Sequence, residues 1–120
     1  MPEGGHPLLI YVDADSRLRR FAAATFRDDY IVEAAATVAD VHCMMDPAVA
    51  IINLSDAVDP RANWDQLTRR WPAVPTVIVL TTEAALKSDR EDFWALQPAA
   101  MVINPHVADA LQRGVHAALS

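Results

Sequence analysis

Short apolar runs recur along the chain, separated by segments in which apolar residues have helical spacing. A run that is apolar on both faces of an extended chain is typical of a strand covered by helices on two sides. Five such runs predict five strands, at residues 8–12, 30–34, 49–54, 76–80 and 101–103.

The segments between the runs predict helices. After the first run, residues suited to a buried face recur at i, i+3, i+4, i+7 and i+8, namely Leu18, Phe21, Ala22, Thr25 and Phe26. Thr37 and Asp40 resemble a capping box, which predicts a short helix that reaches Met44. The other predicted helices cover residues 64–71, 83–97 and 107–118.

Strand and helix alternate five times, which predicts an open, doubly wound parallel sheet with helices on both faces and right-handed crossovers. Residues 1–7 contain two glycines and two prolines and are expected to form a loose lead-in, followed by one domain over residues 8–120. Functional sites in such sheets lie at the carboxyl ends of the strands. The residues at those positions are Asp13, Ala14, Asn53, Thr81, Thr82 and Asn104.

The charge of the chain excludes some partners. Its 120 residues carry 10 Lys and Arg against 16 Asp and Glu, a net charge of −6. An acidic domain without a basic run lacks the electrostatic footprint of nucleic-acid or anionic-membrane binding. No apolar run approaches the length of about 18 residues that a membrane span needs, and Cys43 is the single cysteine. A cytoplasmic protein that binds neither nucleic acid nor membrane is therefore expected.

Four segments together carry a resemblance to a known family. They are Leu-Leu-Ile-Tyr-Val-Asp (8–13), Ile-Ile-Asn-Leu (51–54), Val-Ile-Val-Leu-Thr (77–81) and Met-Val-Ile-Asn-Pro (101–105). In this order the sequence resembles the receiver domain of bacterial response regulators, over essentially the whole chain after residue 7. The resemblance implies a flavodoxin-like (βα)5 fold and a role in two-component signal transduction.

The resemblance also implies a phosphorylation pocket, from which this sequence departs. In receivers, paired acidic residues after the first strand hold Mg²⁺, an aspartate on the third strand accepts phosphate, and a Ser or Thr and a Lys-Pro pair end the fourth and fifth strands. The matching positions here are Asp13, Ala14, Asn53, Thr81, Asn104 and Pro105. The aromatic position on the fifth strand is Met101. The resemblance further implies a cis peptide bond between Asn104 and Pro105, because proline alone makes that isomer inexpensive.

These replacements remove the chemistry of phosphotransfer. A carboxylate nucleophile is required, and Asn53 supplies only a neutral amide. Ala14 removes a metal ligand and Asn104 removes the cation that would neutralise the phosphoryl group. We therefore expect no catalytic residue, metal or cofactor, and a degenerate pocket. Asp13, Asn53, Thr81 and Asn104 could form a metal-free polar network there, and the alternative is that solvent fills the same pocket.

Two other regulatory mechanisms stay open. The chain could still be regulated by metal or by an unorthodox phosphorylation, with Asp15 or Asp56 as a substitute acceptor. Alternatively, the vacated acidic pocket could make the domain a small-molecule sensor.

The expected working surface is the face of the fourth helix (83–97), the fifth strand and the last helix, which receivers use for partners. Phe93 and Trp94 are adjacent in a weakly amphipathic helix, so at least one ring is expected to be exposed. Exposed aromatic residues are frequent anchors of protein interfaces. Phe93, Trp94 and Met101 are thus the candidates for binding a partner protein, which includes a possible homodimer.

Overall fold

A computed structural model describes residues 6–43, 45–55, 58–87 and 90–120. The strands are β1 (Leu8–Val12), β2 (Ile31–Ala35), β3 (Val49–Asn53), β4 (Thr76–Leu80) and β5 (Ala100–Ile103). The helices are α1 (Ser16–Phe26), α2 (Pro60–Arg70), α3 (Thr82–Lys87), α4 (Arg90–Trp94) and α5 (Ala108–Leu119). All strand pairs are parallel, in the order β2-β1-β3-β4-β5, so the predicted flavodoxin-like sheet is confirmed.

Both faces of the sheet are buried, which explains why the strands are continuous apolar runs. Alternate strand residues point to opposite faces and form two separate core clusters. Phe26 of α1 and Leu111 of α5 belong to one cluster, and Trp64 and Leu67 of α2 belong to the other. The two layers of helices leave the carboxyl ends of the strands as the accessible edge where loops can form a site.

The connection from β2 to β3 differs from the prediction. The helix predicted from Thr37 to Met44 is wrong, because residues Val38–Asp40 form only one turn of 3-10 helix; Met44 itself lies outside the described residues. The Thr37 hydroxyl donates to the Asp40 carboxylate at 2.9 Å and does not cap the backbone.

In this connection, side chains from other elements form hydrogen bonds with backbone groups that would otherwise be paired within a helix. The Arg70 guanidinium donates to the carbonyl oxygens of Val38 and Val41 at 2.9 and 2.7 Å. The His42 N–H donates to a Glu33 carboxylate oxygen at 2.6 Å. Tertiary hydrogen bonds therefore replace the i to i+4 bonds of a regular helix.

In the connection from β4 to β5, the helix predicted over residues 83–97 ends earlier than expected, because α4 ends at Trp94. Helices α3 and α4 occupy this segment, and residues 88 and 89 between them lie outside the described residues. The chain leaves α4 through Gln97, whose φ of 60° is in the left-handed region that ends helices. The Ala99 N–H then donates to the Thr76 carbonyl at 2.8 Å, directly before β5 begins.

Helix α5 lies directly on the edge strand β5. A Cβ atom added to Gly114 would overlap the side chain of Val102, so only glycine permits this close approach. Among the described residues, no helix has both the length and the apolar character needed to cross a membrane.

Candidate functional site

The strand register gathers the predicted site residues at one edge of the sheet. Asp13 follows β1, Asn53 ends β3, and Thr81 and Asn104 follow β4 and β5. The last register pairs are Val12 with Ile52, Asn53 with Val79, and Leu80 with Ile103. The sequence therefore placed these four positions correctly along the chain.

Asp13 is the centre of the site. Its side chain is only 4% exposed, and its backbone N–H donates to the Ala35 carbonyl at 2.9 Å, which continues the β1–β2 pairing. Three neutral groups donate to its carboxylate: the Tyr11 hydroxyl at 2.9 Å, the Asn53 amide at 2.8 Å and the Asp15 backbone N–H at 2.8 Å. A carboxylate has about four acceptor positions, so most of its capacity is already used.

Tyr11 is a site residue that the sequence analysis missed. It lies two positions before Asp13 on the same face of β1, and its ring is fully buried. Burial raises the pKa of Tyr11 far above its ordinary value, and the negative charge of Asp13 raises that pKa further. The hydroxyl therefore stays protonated and donates. A tyrosine in an otherwise aliphatic strand, two residues before a terminal acid, is the signal that could have identified it.

Asn53 joins β1 to β3 and continues the network toward β4. Its amide nitrogen donates to Asp13 while its side-chain oxygen accepts from the Ser55 N–H at 2.9 Å. The Ser55 hydroxyl accepts in turn from the Thr81 backbone N–H at 2.8 Å. Ser55, which the sequence analysis also missed, is thus the bridge between the third and fourth strand ends.

Thr81 and Asn104 do not bond to each other. The Thr81 hydroxyl accepts from the Ala84 N–H at 3.2 Å and so caps α3. The Asn104 side-chain oxygen instead accepts from the hydroxyl of Thr82. Of the expected four-residue network, Asp13 and Asn53 bond directly, Thr81 joins them through Ser55, and Asn104 forms a separate pair with Thr82.

The expected cis bond before Pro105 is wrong, since the Asn104–Pro105 peptide is trans. The Val107 N–H donates to the Asn104 carbonyl at 3.1 Å and closes a turn. Pro105 occupies the second position of this turn, where a trans proline is favoured. Asn104 itself has a φ of 70°, a left-handed conformation that asparagine tolerates better than most residues.

A cavity of about 410 Å³ opens beside Asp13, between the ends of β1 and β3, the 3-10 turn and the start of α2. Ala14, Thr37, Asn53, Asp59 and Asn63 are among the residues that line it. The Arg19 guanidinium lies nearby and donates to the backbone carbonyls of Asp13 and Ala14, at 2.7 and 3.1 Å. These bonds are to the backbone and not to the Asp13 carboxylate.

The donor set does not fit the Mg²⁺ that the fold implies. Magnesium prefers carboxylates and waters in near-octahedral geometry. At the two positions that match the paired acidic residues of receivers, Asp13 supplies a carboxylate and Ala14 offers no ligand. The oxygens of Asp13 already accept from three protein groups. Within the described ranges, no group of three His, Cys, Asp or Glu side chains could hold a metal ion.

Asp15, a candidate substitute acceptor, has a structural role. Its carboxylate accepts from the Arg17 N–H at 2.8 Å and caps α1. Hydrogen bonds from the Arg17 backbone and side chain lower the pKa of Asp15. Asp56, the other substitute, lies outside the described residues.

The interface candidates separate into buried and exposed residues. Phe93 is 7% exposed and packs in the core with α2, so it is not available as an anchor. Trp94 is 51% exposed, which agrees with the expectation that at least one of the two rings faces solvent. Met101 is partly buried. Trp94 and Met101 line a groove of about 470 Å³ along β5, together with Arg113 and Gly114 of α5.

Comparison with known proteins shows the fold. No protein-family model and no curated protein matches the sequence. Among solved structures, the chemotaxis response regulator CheY4 of Vibrio cholerae is 18% identical with a TM-score of 0.75, covering 96% of this chain and 100% of that one. This is the receiver-domain fold.

Two further structures extend the likeness. A CheY-like response regulator from Mesorhizobium loti is 16% identical with a TM-score of 0.71, covering 95% of this chain and 99% of that chain. An adenylate cyclase from Rhodopirellula baltica is 12% identical with a TM-score of 0.76, covering 96% of this chain and 88% of that one. At these identities the likeness concerns the fold.

Proposed function

We propose that this chain is a receiver-like signalling domain that works without phosphorylation and acts by binding another protein. The observation that carries the proposal is the hydrogen bonding of Asp13, whose carboxylate accepts from Tyr11, Asn53 and Asp15. Internal donors occupy the oxygens that a receiver would offer to a metal. This arrangement favours a binding function over an enzymatic one.

The missing groups in the pocket support the same proposal. Phosphotransfer needs a nucleophilic carboxylate at the position of Asn53, and the amide there both donates and accepts hydrogen bonds within the network. It also needs positive charge to stabilise the transferring group. Asn104 is neutral and pairs with Thr82. Nucleophile, metal ligand and cation are thus each replaced by a neutral residue.

The direct test is incubation with acetyl phosphate and Mg²⁺, followed by mass measurement of the intact protein. We expect the mass to remain unchanged. The control is the variant Ala14→Asp/Asn53→Asp/Asn104→Lys, which restores the residues of the receiver pocket and should gain a phosphoryl group. An adduct on the natural sequence that survives mild acid and is released by hydroxylamine would contradict the proposal, and peptide mapping would then decide whether Asp15 or Asp56 carries it.

The proposed binding surface is the face around β5 and the helices beside it. Trp94 is the half-exposed aromatic side chain of this face, and Met101 lies in the same groove. Aromatic residues contribute large contact area at low entropic cost, and Met adapts to different partners. Because no phosphate is needed, this face is expected to be available to its partner at all times.

The cavity beside Asp13 favours a second candidate function, that of a small-molecule sensor. Its volume of about 410 Å³ lies within the range of ligand pockets, and it combines an apolar floor with a few polar groups. Ala14 lines this cavity and is exposed. A compound that binds the natural protein but not the cavity-filling variant Ala14→Leu would support this function.

A further inference from the structure

The two edge strands of the sheet are protected to different degrees. Edge β2 carries Glu33 at its centre, and the Glu33 carboxylate holds the following segment through the His42 N–H. Charged side chains and covering segments are the usual means by which proteins protect an edge from pairing. Edge β5 has the sequence Ala-Met-Val-Ile, without charge or proline. β5 is therefore the open edge of this sheet.

The register shows which backbone groups of β5 point outward. The Asn104 N–H donates to the Leu80 carbonyl at 3.1 Å. The backbone N–H and C=O groups of Val102 and Ala100, which alternate with Asn104 along the strand, therefore also point toward β4. The N–H and C=O groups of Met101 and Ile103 consequently point away from the sheet. No hydrogen bond between described residues engages these outward groups. The groove lined by Trp94 and α5 runs along the same edge and leaves it accessible.

This edge is self-complementary. We propose that a second copy of this chain pairs with it, β5 against β5 in antiparallel orientation, so that the two sheets become continuous. With a two-fold axis at Val102, Met101 of each copy is opposite Ile103 of the other, which is a hydrogen-bonded pair in an antiparallel ladder. Four backbone hydrogen bonds then use every outward group of both residues. The proposal names the partner for the protein-binding role proposed above and rests on it.

The surroundings of the edge suit a second copy. The same axis brings the two α5 helices side by side, where the small side chains of Ala110 and Ala117 line the groove. Like-charged copies with a net charge of −6 repel each other, but the groove lining contains no carboxylate and one cation, Arg113. Asp109 pairs with that cation at 3.0 Å. The β5 groove is thus a place where two acidic copies can approach.

Sedimentation equilibrium of the full chain over a range of concentrations tests the pairing. We expect the mass to rise toward that of a dimer, and the variant Ala117→Lys to raise the dimer dissociation constant by about tenfold or more, as a charge inserted in a buried contact does. Ala62→Lys is the matched control, since it adds the same charge at an exposed position of α2 and should leave the constant unchanged.

Hydrogen exchange gives an independent measurement at the strand itself. The amides of Met101 and Ile103 should become protected as protein concentration rises. The amides of Ala100 and Val102, which already bond to β4, should not change. A monomer at all concentrations, a dimer insensitive to Ala117→Lys, or outward amides without concentration-dependent protection would each overturn the pairing. These results leave the acetyl phosphate experiment unaffected, so the two proposals fail separately.

Discussion

Tyr11 and Asn53 both donate to one carboxylate oxygen of Asp13, at 2.9 and 2.8 Å, and the Asp15 N–H donates to the other. A buried charge is costly unless hydrogen bonds replace its water shell. Here hydrogen bonds from neutral groups replace the water shell of Asp13, without a cation. Asn53 is suited to this position because it donates to Asp13 and accepts from Ser55 at the same time.

The variant Asn53→Asp tests this account. It replaces the donated bond by a second carboxylate next to Asp13, and we expect a loss of about 2–3 kcal/mol in the free energy of unfolding at neutral pH. The neighbouring charge raises the folded-state pKa of the new carboxyl above its unfolded value of about 3.9. Stability therefore falls as pH rises from the unfolded pKa through the folded one. Urea unfolding from about pH 4 to pH 8 measures this, and Mg²⁺ should restore part of the loss.

The control for that experiment is Asn53→Ala, which removes the same hydrogen bonds without adding a charge. Its loss of stability should not acquire the additional pH dependence. Parallel pH profiles for the two variants would show that the carboxylates do not interact, and the account of Asp13 would be wrong.

The positions of the site residues could be predicted, but not their bonding. Asp13, Asn53 and Asn104 follow apolar runs, so the strand pattern alone placed them at one edge. Tyr11 was missed because the apolar pattern of a strand does not show whether a tyrosine hydroxyl reaches beyond the end of that strand. The bond between Thr82 and Asn104 was not predicted, because the partner of Asn104 depends on where α3 begins, and helix ends are set by local capping that periodicity does not show.

At the scale of elements, the strands were predictable and the β2–β3 connection was not. A buried parallel strand is determined by its own composition, and the five runs match the five strands to within a few residues. The β2–β3 connection depends on distant side chains, since Arg70 and Glu33 take the backbone groups that a helix would pair. Sequence periodicity carries no information about such tertiary bonds.

Arg70 is accordingly expected to be the main stabilising residue of the β2–β3 connection. Its guanidinium spans the carbonyls of Val38 and Val41 and lies over the Trp71 ring, 4.5 Å from the centroid. Arg70→Met keeps an apolar stem but removes both bonds, and should cost about 2–3 kcal/mol. Urea unfolding measures the loss. Arg69→Met removes the same charge one position earlier and should cost much less; equal losses would contradict this role.

At the scale of the whole molecule, fixed hydrogen bonds connect the pocket with the helices near the proposed binding face. The network from Asp13 runs through Asn53 and Ser55 to Thr81, which caps α3. The next residue, Thr82, bonds to Asn104 at the end of β5. A two-state switch requires an element with two arrangements and a ligand that prefers one of them. Under the proposed function, which needs no phosphorylation, we expect this connection to hold the face around β5 in one state.

Trp94 should then contribute to binding without contributing much to folding. Its side chain is half exposed, so Trp94→Ala should leave the urea midpoint nearly unchanged. Association should weaken by more than about 1 kcal/mol, as it does for aromatic hot spots. Sedimentation equilibrium measures the association and urea unfolding measures the stability of the same sample.

The adjacent ring provides the contrast that makes this prediction specific. Phe93 is 7% exposed and packs in the core, so Phe93→Ala should cost about 3–5 kcal/mol of folding stability. The two variants remove neighbouring aromatic side chains from one short helix, yet one should affect association and the other stability. If Trp94→Ala lowers stability as Phe93→Ala does and leaves association intact, Trp94 belongs to the fold and the binding face lies elsewhere.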